Sequence, residues 1–237
     1  MHAELGQTVH VAVEPETRTS HPLGNGLWPW AFSTGGILFL VGGMLHPRSD
    51  SSLPEAQATA QSLGAATWIP SHAFILASAI AFFIGLLGLA RSHMPLSTTA
   101  RRAAWVAAGG ALFFAVEGVF HLGAFADQDA VLAGEDTTFL STHMTLSLVV
   151  YPLFSVAVAA LAVLSGRVVT HPGVSVIAVI GAAAFGTAPA LVGLAGIEAL
   201  GPLFPIGGLL LALWFTVAGL TAVLRGSARR RPAIPSR

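Results

Sequence analysis

The chain has 237 residues, of which 54% are hydrophobic and only 9% charged, and its 11 basic side chains are balanced by 11 acidic ones. This composition belongs to an integral membrane protein and holds no basic stripe that would point to nucleic acid. Cysteine and lysine are both absent, which excludes disulfides, thiolate-held metals, iron–sulfur clusters and lysine Schiff bases. The lysine-free, Ala/Gly/Val-rich usage fits a GC-rich bacterial genome.

Residues 1–26 are polar and lack both the basic start and the small-residue cleavage site of a signal peptide, so they read as a cytoplasmic tail. Six apolar segments follow, at about 28–46, 68–90, 103–125, 139–164, 174–194 and 203–224. Each approaches or exceeds the ~20 residues that cross a bilayer as a helix. Run length, and the lack of strict alternation, favour helices over a barrel. Pro70 suits a first helical turn, Pro152 predicts a kink in the fourth segment, and Gly186 and Pro189 interrupt the fifth. The expected fold is all-α: a six-helix transmembrane domain over residues 27–225, with a short basic tail over 226–237.

Arginine placement orients this bundle. Arg18, Arg91, Arg101, Arg102, Arg167, Arg225, Arg229, Arg230, Arg231 and Arg237 fall on one side if the six helices alternate. The other side has only Arg48, with Asp50, Glu55, Asp127, Asp129, Glu135, Asp136 and Glu198. The positive-inside rule then puts both termini in the cytoplasm of a cell-membrane protein.

Five histidines (His2, His10, His21, His93 and His171) fall in cytoplasmic tails or loops, where solvation explains them. The other four behave differently. His46 closes the first helix, His72 lies about one turn into the second, His121 about one turn before the end of the third, and His143 about one turn into the fourth. At ~1.5 Å of rise per residue they share one level near the extracytoplasmic surface. Singly, each would read as an interfacial polar residue. Glu117 changes the balance, because an ionisable group two turns inside a membrane helix is costly and marks a site. Glu117 and His121 are four residues apart and share a helix face.

Imidazole and carboxylate are the metal ligands left to a chain without cysteine. Two versions follow. In one, a pair of histidines ligates a haem b iron, Gly42, Gly43, Gly118 and Gly123 leave room for the macrocycle, and Arg48 pairs with a propionate. In the other, His46, His72, His121, His143 and Glu117 close directly around Cu, Zn or non-haem Fe. Met44 and Met144 stand near by, as soft ligands or as packing. Glu117 would orient a ligating imidazole or act as proton shuttle and general base. Ser71, Ser141 and Thr142 read as hydroxyls bonded to their own helix carbonyls, Tyr151 as a core hydroxyl or a redox or proton partner, and Glu198 as a gate or a solvated loop residue. Trp28, Trp30, Trp68 and Trp105 near the run ends read as interfacial anchors.

The function expected is a membrane metalloenzyme that activates a small-molecule substrate such as O₂, a quinone or a nitrogen oxide, as in secondary-metabolite tailoring. A proton-coupled transporter or metal-handling permease is the alternative, and an accessory subunit without a site is a third.

Overall fold

The computed structural model describes residues 26–48, 50 and 52–229. The polar N-terminal segment, with His2, His10, Arg18 and His21, and the basic end, with Arg230, Arg231 and Arg237, lie outside the described residues. Six helices are long and apolar enough to cross a membrane, and no strand occurs among the described residues. They are α1 (Trp28–Leu45), α3 (Trp68–Arg91), α4 (Thr98–Gly123), α6 (Thr138–Ser165), α7 (Pro172–Gly193) and α8 (Leu203–Arg229). Two short helices, α2 (Glu55–Leu63) and α5 (Gln128–Ala133), lie in connections that the sequence reads as loops.

The long helices form a closed ring. Each packs on its neighbours in chain order, and α8 returns to pack on α1. Aromatic rings fill the middle: Phe82 stacks on Phe215 at 4.0 Å between centroids, Phe114 meets Tyr151 edge-on at 5.5 Å, and Phe185 stacks on Phe204 at 4.6 Å. Small residues let the backbones approach. A Cβ on Gly42 of α1 would stand 2.8 Å from Ile75 Cγ1 and 2.9 Å from the Ser71 carbonyl of α3. At the same level the Ser71 hydroxyl donates across the interface to the Gly42 carbonyl at 2.9 Å.

Caps and prolines set the helix ends. The Ser97 side chain accepts from the Ala100 N–H at 3.1 Å, which starts α4 five residues before the apolar run does. Arg101 and Arg102 therefore sit inside that helix. The Arg101 guanidinium donates to the carbonyls of Ala90, Ser92 and Met94, which closes the end of α3. Pro172 opens α7, with His171 as cap. Pro152 and Pro189 lie within α6 and α7, as the sequence suggests, and each removes one rung from its helix.

At the opposite end of the ring α2 packs on α5. A small cluster of Leu63, Trp68 and Ala124, with Val131 and Leu140 against it, joins them to the bundle. The Asp127 carboxylate accepts from the Leu140 N–H at 2.7 Å and so ties this layer to the start of α6. This is the end that carries the four histidines.

Candidate metal centre

Each of the four consecutive ring helices brings its residue to this end for a local reason. His46 follows the last turn of α1, His72 lies in the second turn of α3, His121 in the last turn of α4 and His143 in the second turn of α6. Because the helices are ring neighbours, the four imidazoles meet as a chain rather than a circle. Ring centroids are 5.0 Å apart for His46 and His72, 4.2 Å for His72 and His121, and 3.7 Å for His121 and His143, the last pair stacked within 19°.

Two groups of candidate ligands result, and His121 belongs to both. His46, His72 and His121 form one, and Glu117, His121 and His143 form the other; within each group the ligand atoms lie within 4.8 Å of one another. Either group is compact enough to hold a metal ion.

The two groups are wired differently. In the first, backbone carbonyls claim the Nδ1 protons. His72 donates from Nδ1 to the Trp68 carbonyl at 2.7 Å, and His46 donates from Nδ1 to the Pro47 carbonyl at 2.9 Å. A neutral imidazole so held has its Nε2 lone pair free, which is the usual way a protein prepares a histidine ligand. The His72 Nε2 stands 3.1 Å from the His121 Nε2. Two imidazole nitrogens on one tetrahedral Zn²⁺, with bonds of about 2.0–2.1 Å, stand roughly 3.3 Å apart. The pair is therefore spaced for a single ion with little movement.

In the second group a carboxylate takes the protons. Glu117 is fully buried. Its Oε1 accepts a hydrogen bond from His143 Nδ1 and another from the Tyr151 hydroxyl at 3.0 Å. The His121 Nδ1 is 3.9 Å from the same oxygen, beyond hydrogen-bond reach. Glu117 Oε2 is buried without a hydrogen-bond partner among the described residues, a costly state for a carboxylate oxygen unless a cation or proton meets it. Glu117 thus bonds across to α6, although its i, i+4 neighbour on α4 shares its face.

Several expectations change here. Trp68 is buried, not an anchor at the edge: it lies over His72 at 4.0 Å between ring centroids and donates from its indole N–H to the Leu122 carbonyl at 3.3 Å. Trp28 is likewise buried, whereas Trp30 and Trp105 are exposed. Tyr151 is a direct partner of Glu117. Ser71 bonds to α1 rather than to its own helix, while Ser141 and Thr142 do bond back to α6. Met44 is 86% exposed and Met144 is exposed as well, at the rim of the cavity described below. Arg48 and Glu198 are exposed in connecting segments and belong to neither group.

The glycines thought to make room for a macrocycle are mostly used for helix contact. Ile75 and the Ser71 backbone fill the space at Gly42, Leu76 that at Gly118 and Phe139 that at Gly123; only Gly43 faces open space. Neighbouring imidazoles are in contact, and the two groups they form are compact enough to hold a metal ion.

A partly open cavity of about 230 Å³ adjoins the second group. His121, His143 and Tyr151 border it on one side, and Ala188, Pro189 and Val192 of α7 on the other. α7 and the start of α8 thus supply part of its wall. No protein-family model matches the chain, and no curated protein or solved structure matches it.

Proposed function

We propose that the protein is a multi-pass membrane metalloenzyme in which His46, His72 and His121 hold one transition-metal ion, and that it performs redox or small-molecule-activating chemistry. The observation that carries this reading is the His72–His121 contact: two Nε2 atoms 3.1 Å apart, with the His72 Nδ1 proton already committed to Trp68. Three imidazoles leave a four-coordinate ion with an open position for water or substrate, the arrangement of catalytic rather than structural sites. The ion would supply Lewis acidity or electrons.

The chain's own residues account for the protons. His143, Glu117 and Tyr151 form a continuous hydrogen-bonded set beside His121. Glu117 holds His143 in one orientation and accepts a proton through it. The ring interior below this set is filled mainly by phenylalanine and other apolar side chains, which favours a site working from one end over a transport path. Substrates in keeping with the setting are O₂, a quinone or a nitrogen oxide.

In this reading both termini are cytoplasmic and the site faces the extracytoplasmic side of the cell membrane, because Arg91, Arg101, Arg102, Arg167 and Arg225 gather at the other end. The native chain has no cysteine, so single cysteines placed in the 47–67 and 165–173 connections report sidedness without background. The metal reading is tested by the absorption spectrum and metal content of purified protein. Stoichiometric Cu, Zn or Fe without a Soret band supports it; a Soret band replaces it with haem, and protein free of both removes it.

A further inference from the structure

The cavity beside His143 has a chemistry of its own. Its wall is built by α6, α7 and the start of α8, and apart from His121, His143, Ser147 and Tyr151 its lining is apolar. Prolines lie within both long helices that flank it, Pro152 in α6 and Pro189 in α7, and proline loosens helix contacts locally because its ring displaces the carbonyl four residues earlier. In α6 that carbonyl belongs to Leu148, which lines the cavity.

Three polar side chains on this wall spend their hydrogen-bond donors inside the protein. Tyr151 donates its hydroxyl to Glu117, His143 donates from Nδ1 to Glu117, and Ser147 donates to the Met144 carbonyl at 2.8 Å. This leaves the His143 Nε2 as an acceptor facing the polar end, with no hydrogen-bond partner among the described residues. A ligand that satisfies this end must bring a hydroxyl proton. Size narrows the class further. A cavity of about 150 Å³ takes one benzene ring, so about 230 Å³ takes a ring with a short alkyl substituent.

We propose that this cavity binds a lipid-soluble, single-ring phenol or hydroquinone, its ring between α6 and α7 and its hydroxyl donated to His143. The inference rests on the metal-site reading for its catalytic sense, since it places the hydroxyl next to His121, but the binding itself needs only the cavity and His143.

The test uses purified full-length protein in detergent, titrated calorimetrically with 4-propylphenol and with propylbenzene, each with and without Zn²⁺. Saturable one-to-one binding of 4-propylphenol is expected in metal-free protein, with propylbenzene about tenfold weaker for want of one hydrogen bond. Ala188→Phe should fill the cavity and weaken 4-propylphenol at least tenfold while Zn²⁺ still binds. If that variant does not fold, Gly193→Phe serves instead, because a side chain there meets nothing within 4 Å. His143→Leu should erase the preference for the phenol. Equal affinity for the two probes would overturn the proposal in favour of an acyl-chain cleft. Binding that survives the filling variant would reduce it to partition into the micelle. Phenol binding without Zn²⁺ binding would retain the cavity and remove the metal reading, and the reverse result would do the opposite.

Discussion

The two ends of the ring handle polar side chains in opposite ways. At the arginine end, cations are absorbed by the fold. Arg101 fills three carbonyls around the end of α3, Arg225 reaches the carbonyls of Arg167 and Val168, and Arg91 lies over the Trp105 ring. Each completes a helix terminus or an aromatic face. At the histidine end, polar groups face one another. The His72 and His121 Nε2 atoms stand 3.1 Å apart, and a buried carboxylate keeps one oxygen without a hydrogen-bond partner among the described residues. Polar groups satisfied by backbone are structural; polar groups that converge unsatisfied hold a place for something else.

Substitutions at the two ends should therefore separate binding from stability. The largest effect is expected from His121→Ala, which removes the imidazole common to both ligand groups. Zn²⁺ affinity, measured by chelator competition, should fall by at least about a hundredfold, with the helical fold intact by circular dichroism. Arg101→Ala should do the reverse. Losing a charged donor with three acceptors should lower stability by about 2 kcal/mol, read as a drop in Tm, and leave Zn²⁺ affinity unchanged. If Arg101→Ala weakens Zn²⁺ as much as His121→Ala does, the contrast between the ends fails.

Two smaller substitutions sharpen the contrast within the histidine end. Gly42→Ala puts a methyl against Ile75 and the Ser71 carbonyl, which must push α1 away from α3 and His46 away from His72. About a tenfold loss in Zn²⁺ affinity, with a modest fall in Tm, is expected. Tyr151→Phe removes one of the two donors to Glu117 Oε1. It should cost about 1 kcal/mol of stability and leave Zn²⁺ affinity within about twofold, because Tyr151 touches only the second group.

The level of the four histidines could be read from helix alternation and rise per residue, and so could the six long helices. One feature of the site is present as spacing: Trp68 lies four residues before His72 and shares a helix face with it, although its place near a run end makes it read as an anchor. Tyr151 is legible as a candidate proton partner, but not the residue it meets. The partner of Glu117 was not legible at all. Periodicity gives a shared face with His121, but which neighbouring helix lies opposite depends on the closure of the ring, a long-range property. The glycines were misread because a small residue in a membrane helix signals either room for a ligand or contact with another helix, and only packing distinguishes them. The short helices α2 and α5 escaped because nine and six residues carry too little periodicity to stand out.

Cobalt(II) titration of metal-free protein tests the central claim most directly, since tetrahedral Co²⁺ on nitrogen ligands absorbs far more strongly in the visible than the hydrated ion. The account predicts an absorption that saturates at one ion per chain, is displaced by Zn²⁺, persists in Arg101→Ala and vanishes in His121→Ala. A spectrum no stronger than hydrated Co²⁺, or one unaffected by His121→Ala, would contradict it.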